Sequence, residues 1–192
     1  GFWVDTRWNT ATNTVFNVTT NSGSTPVITA KGDAKVGIGT SAPLSLLDIR
    51  SVNPKLTISS SLGGTFSGAT TIGELAFHTR DGSGIGAHDI AFIQAESTVS
   101  STTPSGELVF GVSSSNQAAF EAMRIDSSGI VLVGKTASTG VTVGCELRPV
   151  GLGTFTRTSG NPVQVRRLSD NGSLVDFYKD TTVVGRLGVV SD

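Results

Sequence analysis

Cysteine, charged residues and aromatic residues are all scarce in this 192-residue sequence. The single cysteine, Cys145, excludes a disulfide framework within the chain and a zinc site built from cysteines. Charged residues make up 15% of the chain, well below the roughly 25% usual in soluble domains. The 14 Lys and Arg residues are scattered and the net charge is -1, so we do not expect nucleic acid as a partner.

Long apolar runs are missing as well. No stretch approaches the roughly 18 apolar residues of a membrane-spanning helix, so membrane insertion is not expected. The amino end begins Gly1-Phe2-Trp3-Val4-Asp5, without an initiator Met and without the charged and apolar regions of a signal peptide. We therefore expect the chain to be a fragment of a longer protein.

Small polar residues are abundant instead, since Gly, Ser and Thr together fill 73 positions. Apolar and polar residues alternate with period two in short stretches, which is typical of strands with one apolar face. These stretches are Leu56 to Ser59, Val141 to Val143, the surroundings of Phe155, and Val163 to Val165. Turn sequences such as Asp81-Gly82 and Asn171-Gly172 separate such stretches. The one stretch with helical character, Gln117 to Met123, is too short to be stable alone.

Two internal repeats support an all-β fold. Gly73-Glu74-Leu75-Ala76-Phe77 recurs as Gly106-Glu107-Leu108-Val109-Phe110, and each copy leads through a polar turn into a second apolar strand. This repeat predicts two related hairpins in one sheet. At larger spacing, Val36 to Ala42 is echoed by Val131 to Ala137, and a turn precedes each copy.

The first copy of the second repeat contains Gly37, Gly39 and Ala42, which fit the glycine signature of a dinucleotide-binding loop. A dinucleotide loop must open a helix and be followed, about 20 residues later, by an acidic residue. Asn53-Pro54 leaves no room for that helix, and no carboxylate stands at the required distance. The glycines therefore predict a strand and a tight turn, and we expect no cofactor.

Short strands rich in Gly, Ser and Thr bury little apolar surface for each residue that must be ordered. A closed oligomer solves this problem, because several chains can contribute one apolar face each to a shared core. The sequence therefore favours an assembly over an isolated chain.

Several of these segments together resemble bacteriophage tail fibre proteins, most closely the fibres that end in a self-cleaving intramolecular chaperone. The resemblance covers the chain from about Asn17 onward and is carried by Val36 to Pro43, the two Gly-Glu-Leu strands, Glu121 to Gly129, Cys145 to Pro149 and Asp176 to Asp180. It implies an elongated, all-β homotrimer of short antiparallel strands, with β-sandwich or β-prism-like segments and little or no helix. It also implies a virion location, neighbouring tail or fibre proteins as partners, and attachment to a host surface polysaccharide or protein.

The resemblance also divides the chain and suggests which residues pack in the trimer. We expect an N-terminal fibre segment at 1–50, a β-rich domain at 51–137 and a C-terminal segment at 138–192. Trimer packing is predicted for Val36, Ile38, Leu46, Ile49, Ile125, Val131 and Val133. Family members usually carry Asn where Ile130 stands and Gly where Leu132 stands, so the second copy is expected to turn differently from the first. No Ser and Lys pair typical of the chaperone stands between Leu152 and Asp192.

Other functions remain open as alternatives. A tailspike glycosidase would need two carboxylates beside a sugar groove, and Glu74 and Glu107 are the candidates. A non-viral bacterial surface adhesin could share the repeats. We favour a structural and adhesive role without catalysis, with no metal site, and with receptor contacts in the loops Thr79 to His88 and Ser97 to Ser105.

Individual residues offer weaker functional signals. His78 and His88 bracket a polar loop whose spacing matches no metal signature, and the loop is typical of a solvated hairpin turn. Trp3 and Trp8 could stack on a sugar, although a junction between fibre segments is the favoured interpretation.

Overall fold

The structure is a computed structural model that describes Thr12 and residues 14–23, 25–61, 70–97, 105–169 and 171–189. Within these ranges the chain forms thirteen β-strands and no helix, and nearly all neighbouring strands are antiparallel. This confirms the all-β prediction. The chain divides into two compact units, Gly1–Thr57 and Ile58–Asp192, which are described separately.

The first unit is a four-stranded sheet in the order β1-β2-β3-β4. Its strands are β1 (Thr14–Thr20), β2 (Thr25–Lys31), β3 (Val36–Ile38) and β4 (Leu47–Ile49). Asn21, Ser22 and Gly23 all have positive φ and form the tight connection between β1 and β2. Strands β3 and β4 pair in parallel, and this is the one parallel pair among the described strands.

The second unit contains a seven-stranded antiparallel sheet in which each strand pairs with the next along the chain. Its strands are β5 (Thr70–Thr79), β6 (His88–Ser97), β7 (Gly106–Val112), β8 (Phe120–Ile125), β9 (Val131–Val133), β10 (Gly144–Leu147) and β11 (Gly153–Thr156). A separate hairpin follows, formed by β12 (Gly172–Lys179) and β13 (Thr182–Val189).

The Gly-Glu-Leu repeat forms the two related hairpins that the sequence predicts. The first copy lies in β5 and pairs with β6, and the second copy lies in β7 and pairs with β8. Strands β6 and β7 also pair, so both hairpins belong to one sheet.

The second repeat has the same turn geometry in both copies, although a difference was expected. In each turn the first residue donates its amide to the carbonyl four positions later, and the amide three positions later donates back to the first residue's carbonyl. The bonds are Lys31 N to Lys35 O (2.9 Å) with Ala34 N to Lys31 O (3.2 Å), and Asp126 N to Ile130 O (3.0 Å) with Gly129 N to Asp126 O (2.8 Å). Ala34 and Gly129 both have positive φ. The substituted positions 130 and 132 therefore leave the turn unchanged, because its geometry depends on the residue with positive φ.

A third turn of the same kind, between β10 and β11, is not visible as a repeat in the sequence. Arg148 N donates to Leu152 O (2.8 Å), and Gly151, which has positive φ, donates to Arg148 O (2.9 Å). The strand that follows, β11, has no residue identical to β3 or β9 at the aligned positions, so only the backbone reveals this copy.

Several local predictions were wrong. Phe120–Ile125 is a strand, although Gln117 to Met123 has helical character in the sequence, because β7 and β9 pair with it on both sides. Val141 to Val143 lies in the connection between β9 and β10, and Leu56 to Ser59 and Val163 to Val165 form no strand. Among the four alternating stretches, only the one around Phe155 became a strand. Alternation alone does not make a strand, since a strand also needs a hydrogen-bonding partner.

The expected boundaries also differ from the divisions of the structure. The compact units meet at Thr57 and Ile58, seven residues beyond the expected end of the first segment. The seven-stranded sheet continues past 137/138, because β10 pairs with β9 and β11 pairs with β10.

Candidate assembly surface

One face of the seven-stranded sheet is entirely apolar along its two central rows. Residues that are directly opposite each other on neighbouring strands share a face, so the register defines each row. The first row is Leu75, Ile93, Phe110, Met123, Val133, Cys145 and Phe155, and the second is Gly73, Ala95, Leu108, Ile125, Val131, Leu147 and Gly153. We call these two rows the large apolar face.

The large apolar face is open to solvent in the single chain. Leu75 exposes 52% of its surface, Phe155 48%, Leu147 47% and Val133 42%. A monomeric protein rarely leaves so wide a contiguous apolar surface uncovered. The face is therefore the strongest candidate for a contact surface in the described part of the chain.

The opposite face of the same sheet is buried over β7, β9 and β10, although it carries polar side chains. Leu132 is fully buried between Arg124 and Glu146, its partners on the two neighbouring strands. Glu146 is itself fully buried and accepts hydrogen bonds from Lys135 Nζ (2.9 Å), Ser138 Oγ (3.2 Å) and Arg148 Nε (2.5 Å). The hydrogen bond from Lys135, followed by those from Arg148 and Ser138, holds the pKa of Glu146 below its ordinary value. Around Glu146 the polar side of the sheet is therefore closed by Lys135 and Ser138 of the β9–β10 connection and by Arg148.

A second charged cluster lies farther along this polar face. Arg124 donates to both Glu121 and Glu107, and Glu96 lies 3.8 Å from the same guanidinium. The hydrogen bonds that Arg124 donates to Glu121, supported by the charges of Glu121 and Glu107, raise the pKa of Arg124. Glu107 is thus held in a half-buried ion pair on the polar face.

The four-stranded sheet of the first unit has the same arrangement. Its register places Val18, Ile28, Ile38 and Ile49 in one row, and Phe16, Ala30, Val36 and Leu47 in the next. These two rows, which we call the small apolar face, leave Leu47 56% exposed and Phe16 47% exposed. On the other side Thr29 is fully buried opposite Gly37 and donates its hydroxyl to Asn17 Oδ1 at 2.8 Å.

Six of the seven residues predicted to pack in a trimer lie on these two faces. They are Val36, Ile38 and Ile49 on the small apolar face, and Ile125, Val131 and Val133 on the large one. Leu46 is the exception. It precedes β4, and Leu47 is the residue that pairs with Val36. Leu46 lies outside the strand and is 72% exposed.

The sequence prediction missed most of the large apolar face, including Leu75, Ile93, Phe110 and Phe155. The period-two pattern of the Gly-Glu-Leu strands carried that signal, because every second residue from Gly73 and from Gly106 is apolar.

The two glycines of the Val36 to Ala42 segment stand in a strand and a turn, as predicted. Gly37 lies in β3, where an added Cβ would be 2.4 Å from Thr40 O. Gly39 has a φ of +75°, and an added Cβ there would be 2.1 Å from Arg50 O. No side chain fits at either position, so the glycines permit close backbone packing.

The loop between β5 and β6 is a polar hairpin connection, as predicted, and it is ordered by its own side chains. Asp81 accepts hydrogen bonds from Ser83 N (3.0 Å) and Ser83 Oγ (2.8 Å), which lower the pKa of Asp81. His78 Nδ1 lies 2.7 Å from Asp89 Oδ1. The second loop predicted to bind a receptor falls mostly outside the described residues, as do Trp3 and Trp8.

The described residues hold no group of three His, Cys, Asp or Glu side chains placed to bind a metal ion. They also include no helix of the length and apolar character that crossing a membrane requires. No protein-family model matches the chain, and no curated protein is significantly similar to it in sequence. The arguments about function therefore rest on the geometry and on the resemblance described above.

Proposed function

We propose that this chain is a structural and adhesive segment of a bacteriophage tail fibre, assembled as a homotrimer on the virion and used to attach to a host surface. The observation that carries the proposal is the large apolar face, which is apolar in both rows yet exposed in the single chain. The number of copies and the viral setting come from the resemblance to tail fibres.

Further copies of the same chain are the partners that best fit the large and small apolar faces. Both compact units expose an apolar side, so each chain has two apolar faces that need a partner. Copies related by a threefold axis would bring identical faces together at every level of the fibre. A heterologous partner would have to match two separate sheets.

An adhesive role without catalysis is favoured over the glycosidase alternative by the state of the two candidate carboxylates. Glu107 is held in the ion pair with Arg124 and its side chain is only 10% exposed, so it is poorly placed to reach a sugar as a nucleophile. Glu74 lies opposite Gln94, and Glu107 lies opposite Glu96, so the two candidates occupy different rows of the sheet.

The loop at 80–87 is the described segment that best fits a receptor contact. It is exposed, polar and ordered, and Asn116 of the neighbouring loop fixes it by accepting a hydrogen bond from Ile85 N at 2.8 Å. A preorganised polar loop can bind a surface polysaccharide or protein without first being ordered.

The proposal is tested by adding the fluorescently labelled assembly to a panel of bacterial strains and to their purified surface polysaccharides. We expect saturable binding to a narrow set of strains, with no release of shortened polysaccharide. Depolymerisation that is lost in Glu74→Gln or Glu107→Gln would favour the glycosidase. An assembly that binds no strain would contradict the adhesive role.

A further inference from the structure

The hairpin formed by β12 and β13 has an apolar face of its own. Val175 lies opposite Leu187, and Phe177 lies opposite Gly185, so these four residues share one side of the two strands. We call them the hairpin face. An added Cβ at Gly185 would stand 3.4 Å from Phe177 Cδ2, so the phenyl ring lies beside the bare backbone of Gly185. Phe177 is 48% exposed and Leu187 is 59% exposed, so the hairpin face is open to solvent in the single chain.

The opposite side of the hairpin carries an ion pair. Asp176 lies opposite Arg186, and Arg186 Nε is 3.2 Å from Asp176 Oδ1. An exposed pair of this kind is well solvated and adds little to stability. The hairpin face is therefore the side that needs a partner.

The hairpin also lacks the neighbours that stabilise a sheet. Strands β12 and β13 pair only with each other among the described strands. A two-stranded hairpin is marginally stable at best in water, and it needs a third strand or a packed apolar face for independent stability. The folded hairpin seen here therefore implies a surface that packs against its apolar side.

We propose that the hairpin faces of three copies pack against one another about the threefold axis, and that the hairpin is stably folded only in the assembly. Phe177 and Leu187 of each copy form a small shared core, and the ion pair of Asp176 and Arg186 faces solvent. The copies meet through side chains, with no hydrogen bond between strands of different copies. The inference rests on the proposed trimer and adds a further contact surface and a folding step that assembly controls.

The length of the connection to the large sheet favours the same hairpin of another copy as the partner. Residues 157–171, which are 15 in number, join β11 to β12. A connection of this length spans at most roughly 50 Å when fully extended. Copies that cover the large apolar face therefore hold their three hairpins close together, at an effective concentration on the order of millimolar. A separate protein would have to compete from free solution.

Hydrogen exchange measured by mass spectrometry tests whether assembly folds the hairpin. We compare residues 172–189 in the wild-type assembly and in the Val133→Asp variant, whose substitution lies in the large apolar face. We expect the hairpin amides to exchange at least about 100-fold more slowly in the assembly than in the monomeric variant. The exposed loop at 80–87 should exchange alike in both proteins and serves as the internal reference.

Two results would overturn the inference and leave the proposed trimer intact. One is a hairpin that is already protected in the monomer, and the other is a trimer whose hairpin exchanges at the unprotected rate. A wild-type protein that is itself monomeric would overturn both the inference and the proposed trimer.

Cross-linking identifies the partner and does not depend on the Val133→Asp variant. Leu187→Cys and Arg186→Cys, each made in a Cys145→Ala background, place a single thiol on the hairpin face or on the opposite side. A short bismaleimide reagent should join Leu187→Cys chains of one trimer into covalent dimers, and should join Arg186→Cys chains far less. Equal dimer yields from the two variants, or no dimer from a Leu187→Cys trimer, would contradict packing between hairpin faces.

Discussion

Leu132 and Val133 are neighbours in the middle of the same sheet, yet Leu132 is fully buried and Val133 is 42% exposed. Leu132 faces Arg124 and Glu146 on the polar side, and Val133 faces Met123 and Cys145 on the apolar side. A single soluble domain normally buries its apolar side and exposes its polar side. The inverted arrangement is explained if the apolar side is an interface between copies.

A charge at position 133 should prevent assembly without unfolding the single chain. We expect Val133→Asp to prevent assembly, because the carboxylate would be buried without a partner in the core between copies. Val150→Asp is the matched control, since Val150 is 86% exposed in the turn between β10 and β11. Sedimentation velocity measures the outcome, and an assembled Val133→Asp protein would argue against this interface.

Truncation of the buried neighbour should act on folding. Leu132→Ala leaves a cavity in the closed side of the sheet and should lower the free energy of unfolding by about 2 to 5 kcal/mol. Denaturant titration followed by circular dichroism measures this loss. A cost below about 1 kcal/mol would mean that the polar side is not the packed side of the sheet.

The single cysteine reports directly on the interface. Cys145 lies in the first row of the large apolar face, between Val133 and Phe155. In the assembled protein we expect its thiol to react slowly with a soluble disulfide reagent, and in the Val133→Asp variant we expect fast reaction. Equal rates in the two proteins would show that this row is not covered by another copy.

Glycines 39 and 134 form a matched pair for testing the tight backbone contact of the first unit. Both have positive φ, +75° and +69°, but an added Cβ meets Arg50 O at 2.1 Å at position 39 and meets nothing within 4 Å at position 134. Gly134→Ala should lower the free energy of unfolding by about 1 kcal/mol, from backbone strain alone. Gly39→Ala should cost clearly more, because the backbone of Arg50 must also move. Thermal unfolding compares the two variants, and equal shifts would contradict the close contact.

The free energy of unfolding should fall in acid as Glu146 becomes protonated. Because hydrogen bonds from Lys135, Arg148 and Ser138 lower the pKa of Glu146 in the folded state, its contribution is present above its unfolded pKa. That contribution is lost as the pH falls through the folded pKa. Glu146→Gln should therefore be less stable at neutral pH and lose less stability between pH 5 and about pH 2. Glu74→Gln, at an exposed position of β5, is the control. Parallel pH profiles for wild type and Glu146→Gln would contradict this account.

The sequence predicted the all-β class, the paired Gly-Glu-Leu hairpins and the strand-and-turn role of Gly37 and Gly39, because each depends on local pattern. Trimer packing by Leu46 stays a prediction. The pairing of Leu47 with Val36 depends on the path of the loop after Gly39, which local pattern does not determine. The sequence also predicted strands at Leu56 to Ser59 and Val163 to Val165, and neither segment is a strand in the structure. The extent of the large apolar face became visible only when the register aligned seven strands.

The molar mass of the purified chain tests the central claim most directly. Sedimentation equilibrium in parallel on wild type and Val133→Asp would compare particle masses with the chain mass of 19.7 kDa. The proposal predicts a wild-type particle of three chain masses and a variant that no longer forms it. A stable, soluble wild-type monomer would contradict the claim that copies of this chain cover its apolar faces.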